Sequence, residues 1–299
     1  MMERHAVILG RNGQLAREIA LTPWPSPWRL SFVGRHQLPR IDRSTVADLL
    51  STLCPDLIIN TAAYTAVDQA EDDADRSYLL NADLPGHIAS YCSTHSIPLL
   101  HISTDYVFAG TGRTPLNETA AVAPLSVYGA SKLDGEERIR NQLRFHLILR
   151  TSWLFGQYSS NFFTKMMELG ETRRQLNVIN DQWGGPTPAA ALAASIPVIA
   201  SELLQSPAST SGLFHFSGWP EATWFQFANT IMSVRQAVGL PWSDITPTST
   251  AAFGARAKRP AYSYLDCRKF RDRFGVQTPN WQHGLPALIK TYNNNGMTE

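Results

Sequence analysis

Short apolar runs at residues 6–9, 30–33, 57–59, 99–102 and 147–149 alternate with longer amphipathic segments through the first half of the chain. A brief apolar run bounded by polar sequence reads as a strand buried on both faces, the signature of a parallel sheet. The segments between them, at 14–21, 45–53, 67–95 and 127–142, read as helices. Strand and helix in repeated alternation predict an α/β fold, a doubly wound parallel sheet that binds its ligands at the carboxyl ends of its strands.

After Thr151 this regularity breaks, and Trp153, Trp183, Trp219, Trp224, Trp242 and Trp281 appear among loops rich in glycine and proline. Residues 189–204 read as one more helix, and 213–216 as a strand returning to the first sheet. The prediction is a Rossmann-type domain of residues 1–152 plus about 187–217, and a smaller, discontinuous α/β substrate-binding lobe of about 153–186 and 218–299.

Of the 299 residues 43% are hydrophobic, enough for a sizeable core. Lys and Arg number 26 against 25 Asp and Glu, so no overall charge would hold the chain on nucleic acid or anionic lipid. Cys54, Cys92 and Cys267 are far apart and odd in number, which suits free thiols in a reducing compartment and neither a disulfide nor a zinc site. The opening apolar run is too short for a secretory leader. Residues 189–200 fall short of the roughly 18 apolar residues of a membrane span, and Pro197 interrupts them. A cytoplasmic protein without membrane or nucleic-acid partners is expected. Asp68, Glu71, Asp72, Asp73 and Asp75 read as a solvated face near a helix start, the eight histidines lack metal-ligand spacing, and Asn293-Asn294-Asn295-Gly296 reads as an unstructured tail.

The first strand runs into Gly10-Arg11-Asn12-Gly13-Gln14-Leu15-Ala16 directly before a helix. Glycines there allow a tight turn and let a pyrophosphate approach the free amides of the helix N-terminus, with Gly13 at the closest point. The spacing departs from GxGxxG, and Ala16 stands where a third glycine would be. Arg35 follows the second strand, where an acid would take the ribose hydroxyls of NAD and a cation accommodates the 2′-phosphate of NADP. NADPH is therefore the expected cofactor, with NADH open as a second donor. Asp42 either touches the adenine or caps the next helix.

The fourth strand ends in Ser103-Thr104-Asp105-Tyr106-Val107-Phe108, and further on stands Tyr128-Gly129-Ala130-Ser131-Lys132. A four-residue spacing on a helix puts Tyr128 and Lys132 on one face, where an ammonium could lower the phenol's pKa from its usual value of about 10. Tyr128 would then protonate a developing alkoxide while a nicotinamide delivers hydride to the ketone carbon. Lys132 would hold the cofactor ribose, and Thr104 would add a hydroxyl beside the same carbonyl.

Taken in order with Asn60-Thr61-Ala62-Ala63-Tyr64-Thr65-Ala66-Val67-Asp68, Arg150-Thr151-Ser152-Trp153 and residues 178–187, these segments resemble the extended short-chain dehydrogenase/reductases over almost the whole chain. The resemblance implies reduction of the C4 keto group of dTDP-4-dehydro-β-L-rhamnose to dTDP-L-rhamnose. By position it implies that Gly10, Gly13, Gln14 and Leu15 meet the cofactor pyrophosphate, Asp42 and Arg43 the adenine side, and Ala63, Tyr64 and Thr65 its middle. Thr104, Asp105 and Trp153 would meet the sugar, with Tyr128 as proton donor and Lys132 supporting the cofactor. Relatives suggest a homodimer, and some bind magnesium at a dimer contact, although this sequence assigns no ligands to it. Arg259 and Gln182 sit in loops from which they could reach a diphosphate or sugar hydroxyls. Dehydratases of the same family carry an Asp-Glu pair after the threonine, whereas Tyr106 follows Asp105 here. A reductase of another 4-keto sugar nucleotide, or a non-catalytic NADP-binding regulatory subunit, is the alternative.

Overall fold

The computed structural model describes residues 3–296. Six parallel strands form its central sheet: β1 (Arg4–Leu9), β2 (Trp28–Val33), β3 (Leu57–Asn60), β4 (Leu99–Thr104), β5 (His146–Thr151) and β6 (Gly212–Phe216), in the order β6-β5-β4-β3-β1-β2. Alternate side chains of a strand point to opposite faces, and β1 shows this directly. Ala6 and Ile8 join one core with Leu15, Ile19, Leu192, Ile196 and Phe214, while Val7 and Leu9 join the other with Val46, Leu50, Ile88 and Ile139. Apolar residues on both faces leave this sheet no wet side.

The chain leaves β1 toward β2 and returns to lay β3 on the other side of β1. The crevice between the diverging connections lies at the carboxyl ends of the strands, where Leu9 stands level with Val33 and Asn60, Asn60 with His101, and Thr104 with Thr151. Residues expected at the site therefore converge there from separate strands.

The helix from Val127–Gln142 begins at Ser126, whose hydroxyl accepts the Gly129 N–H. It packs close: a Cβ at Gly135 would stand 2.0 Å from the Asn81 carbonyl oxygen. Below it Glu136 pairs with Arg150 of β5 at 2.6 Å, both side chains almost wholly buried, and accepts the Ser103 hydroxyl at 2.5 Å.

Two expectations need correction. The segment 67–95 is not one helix but Val67–Ala70, Ala74–Tyr78, a wider π turn at Leu79–Asp83, and Leu84–His95. Asp72 and Asp73 interrupt it early, and Pro85 sits in the first turn of the last piece, where its missing N–H costs nothing. The stretch expected to be an unstructured tail ends the helix Leu285–Gly296, which Leu285, Ile289 and Tyr292 fasten to an apolar cluster.

That cluster also holds Phe155, Phe163, Met166, Phe227, Ile231 and Trp281, contributed by the helices Phe162–Thr172 and Trp224–Ala237 and their neighbours. Beside it the strands Gln175–Ile179 and Asp244–Thr248 pair in parallel. Asp68 grips Arg259 at 2.7 Å and Asp72 grips Arg256, so two acids read as solvated surface tie residues 256–259 to the segment 68–72. Glu71 accepts the Val127 N–H at 2.9 Å. None of the described helices is long and apolar enough to cross a membrane, and all three cysteines are free.

Candidate active site

A cavity of about 740 Å³ opens at the carboxyl ends of β1 to β5. Gly10, Gly13, Gln14, Leu15, Arg35, Ala63, Thr65, Thr104, Asp105, Tyr128, Lys132 and Trp153 all line it, so most of the residues singled out from the sequence meet in one place. Asp42, Arg43 and Tyr64 do not line it. Asp42 instead caps the helix Arg43–Leu53, accepting the Thr45 N–H at 2.8 Å, and these hydrogen bonds hold its carboxyl down at about 2. Tyr64 has its backbone N–H and carbonyl engaged by Asn81, at 2.8 and 3.1 Å.

At one end the Gly10 turn has φ +101°, and a Cβ on Gly10 would come within 2.6 Å of Thr61 Oγ1. Only glycine suits that backbone and that approach. The helix Gln14–Leu21 starts at Gly13 without a side-chain cap, so its first amides face the cavity unspoken for. Such an N-terminus fits a diphosphate. Arg11 and Arg35 both line the same end and fit an additional phosphate on an adenosine ribose.

At the other end, Thr104 closes β4 with its hydroxyl accepting the Tyr106 N–H and donating to Asp105 Oδ1, each at 3.2 Å. Tyr128 is hydrogen-bonded to Thr104, and the Tyr106 ring meets its ring edge-on at 5.7 Å. Asp105, 2% exposed, also accepts Ser263 Oγ at 2.5 Å, and burial pushes its carboxyl up to about 7.

Electrostatics here differ from expectation. Burial pushes the Tyr128 phenol up to about 12, with Thr104 lowering it and the Asp105 carboxylate raising it, so Lys132 does not bring it down. Lys132 is itself buried, which lowers it to about 8 against the pull of Glu136. Its amine turns to the Ile102 carbonyl at 2.7 Å and to His101 Nε2 at 3.2 Å. A phenol held high keeps its proton for donation.

Trp153 has φ +44°, an uncommon conformation for a bulky residue. Trp224 and Phe162 line the cavity beside it, and the sequence marked neither as a site residue, since an aromatic residue in a helix looks locally like any core residue. Arg259 is committed to Asp68, and Gln182 is buried and donates to Thr250 Oγ1 at 2.9 Å. Among the described residues no three His, Cys, Asp or Glu side chains gather as metal ligands would.

Residues 4–294 match the RmlD substrate binding domain. The chain is similar to the dTDP-4-dehydrorhamnose reductase of Sinorhizobium fredii, 38% identical over 283 residues that span 94% of this chain and 95% of that protein. It is similar in structure to the dTDP-4-dehydrorhamnose reductase of Bacillus anthracis solved in complex with NADP, with a TM-score of 0.88, 34% identity, and coverage of 97% of this chain and 100% of that one. A Clostridium acetobutylicum orthologue gives a TM-score of 0.89 at 31% identity, over 97% and 99% of the two chains.

Proposed function

The chain belongs to the RmlD family of dTDP-4-dehydrorhamnose reductases, and we infer from this that it reduces the C4 keto group of dTDP-4-dehydro-β-L-rhamnose to dTDP-L-rhamnose with NADPH. The observation that carries the chemistry is the gathering of Thr104, Tyr128 and Lys132 in the cavity that an uncapped helix N-terminus enters from the other side.

The reduced nicotinamide, when bound, supplies hydride to the ketone carbon. Gln14 and Leu15 at the uncapped helix start would hold the diphosphate with backbone amides, Gly10 and Gly13 would let it approach, Ala63 and Thr65 would flank the middle of the cofactor, and Arg35 would take the 2′-phosphate. Tyr128 Oη, kept protonated by burial, passes its proton to the alkoxide as negative charge develops there. Thr104 Oγ1 steadies the same oxygen, and Lys132 holds the cofactor ribose. Trp153 and Asp105 orient the sugar within a substrate lobe of about 153–186 and 218–299, docked on the cofactor domain. Asp42, Arg43 and Tyr64 have no part in this reading, being engaged or placed away from the cavity. In the same reading the enzyme works in the cytoplasm as a homodimer.

The decisive experiment mixes purified protein with dTDP-4-dehydro-L-rhamnose and follows loss of the reduced-nicotinamide absorbance with NADPH and with NADH. Rapid oxidation is expected. Binding of NADPH without oxidation would overturn the assignment.

A further inference from the structure

Behind Lys132, away from the cavity, lie two polar side chains with no exposure at all, Asn60 at the end of β3 and His101 in β4. They form a chain: Asn60 Nδ2 is 3.1 Å from His101 Nδ1, and His101 Nε2 is 3.2 Å from Lys132 Nζ. We propose that His101, with its tautomer set by Asn60, is a positioning residue that presents an N–H to the Lys132 amine and thereby governs how readily Lys132 takes up a proton. This rests on the role given to Lys132 above.

The argument begins at Asn60, whose two amide ends are distinguishable because Oδ1 accepts the Ala62 N–H at 3.1 Å. The Nδ2 end must then donate, and His101 Nδ1 must accept, which it does only without a proton. A neutral imidazole of that kind carries its hydrogen on Nε2, aimed at Lys132 Nζ. His101 stays neutral because burial, and then the nearby Lys132 charge, hold it well below the ordinary histidine range.

Facing an N–H, Lys132 Nζ is satisfied as an amine with a lone pair and opposed as an ammonium. Its own hydrogens go to the Ile102 carbonyl at 2.7 Å and toward the cavity. Glu136, one turn along the helix, favours the ammonium, but two Arg150 nitrogens and Ser103 already engage its carboxylate. Tyr128 on the same helix is held neutral, and Asp105 beyond β4 is drawn to Ser263 and Thr104. Among the groups around Lys132, the carboxylate thus pulls toward charge and the imidazole pushes against it.

The test has two arms. Imidazole nitrogen NMR of histidine-labelled, NADP-saturated enzyme reads the His101 tautomer without any turnover, so it stands even if the sugar substrate is misassigned. A neutral ring protonated on Nε2 through neutral pH is expected; a proton on Nδ1, or a charged ring, overturns the proposal. In the second arm, Asn60→Asp keeps the acceptor for Ala62 but puts a carboxylate against Nδ1. His101 should move its proton to Nδ1 and offer Nε2 as an acceptor, which favours the ammonium. The limb on which kcat falls as pH rises should then move upward by about one pH unit. A lower kcat with that limb unmoved overturns the proposal, and if the variant does not fold, the tautomer of the unaltered enzyme decides alone.

Discussion

The indole rings of Trp153 and Trp224 lie face to face, 3.5 Å between centroids and within 6° of parallel. Trp153 follows β5, whereas Trp224 opens the helix Trp224–Ala237. Phe162 packs on the outer member at 4.6 Å. The stack holds Trp153 in its positive-φ conformation at the edge of the cavity, so Trp224→Ala should release it. A stacked aromatic pair adds ~1 kcal/mol beyond its buried area, so KM for the sugar nucleotide should rise about fivefold. Titration of NADPH should show cofactor affinity unchanged; an equal loss for both ligands would point to general damage to the lobe.

Tyr128→Phe keeps the ring against Tyr106 and removes only the phenolic hydroxyl, and with it the transferable proton. General acid catalysis of this kind contributes roughly 10²–10⁴ in rate, so kcat should fall by about that factor while NADPH still binds. Turnover at the unaltered rate would refute the proton-donor role.

Arg35→Asp replaces a cation at the cofactor end of the cavity with an anion. Because only NADPH carries the 2′-phosphate, its dissociation constant should rise about tenfold or more while that of NADH stays level. Equal weakening of both cofactors would remove Arg35 from phosphate recognition.

Asp105 supplies a pH dependence whose sign is definite. Its carboxyl titrates near 7 when folded, against an ordinary value of 3.8, because burial disfavours the charge. Below the ordinary value both states are neutral and the group is indifferent to folding. As pH rises through that interval the unfolded chain ionises and the folded one does not, so stability declines, fully so above the folded value. Asp105→Asn should therefore raise the melting temperature by a few degrees at about pH 8 and far less at about pH 4. A difference that is constant with pH would mean that the carboxyl does not titrate as its burial requires.

Much of the site was legible because its signals are local. The Gly10 turn, the helix start at Gly13 and the four-residue spacing of Tyr128 and Lys132 each lie within a few residues, and the cavity gathers all of them. The unread parts depend on distance along the chain. Asp68 and Arg259 are 191 positions apart, and Ser263 reaches Asp105 across 158, so neither partner carries a mark of the other. Asn60 and His101 carry no mark of one another in the sequence, and it is the register of β3 against β4 that sets them side by side. The helix at 67–95 was misjudged for a related reason. Its π turn places Asn81 where its side chain grips the Tyr64 backbone, a tertiary demand that periodicity does not express.

The ion pair between Glu136 and Arg150 acts as a fixed index mark for the helix that carries Tyr128 and Lys132. Sliding or rotating that helix by even a fraction of a turn would separate a carboxylate from a guanidinium where water cannot replace either, a loss of roughly 3–5 kcal/mol for a broken buried pair. The phenol is therefore registered to the floor of the sheet and not to the loops around it. Substrates can come and go while the proton-bearing oxygen keeps its place to within the tolerance of that single pair.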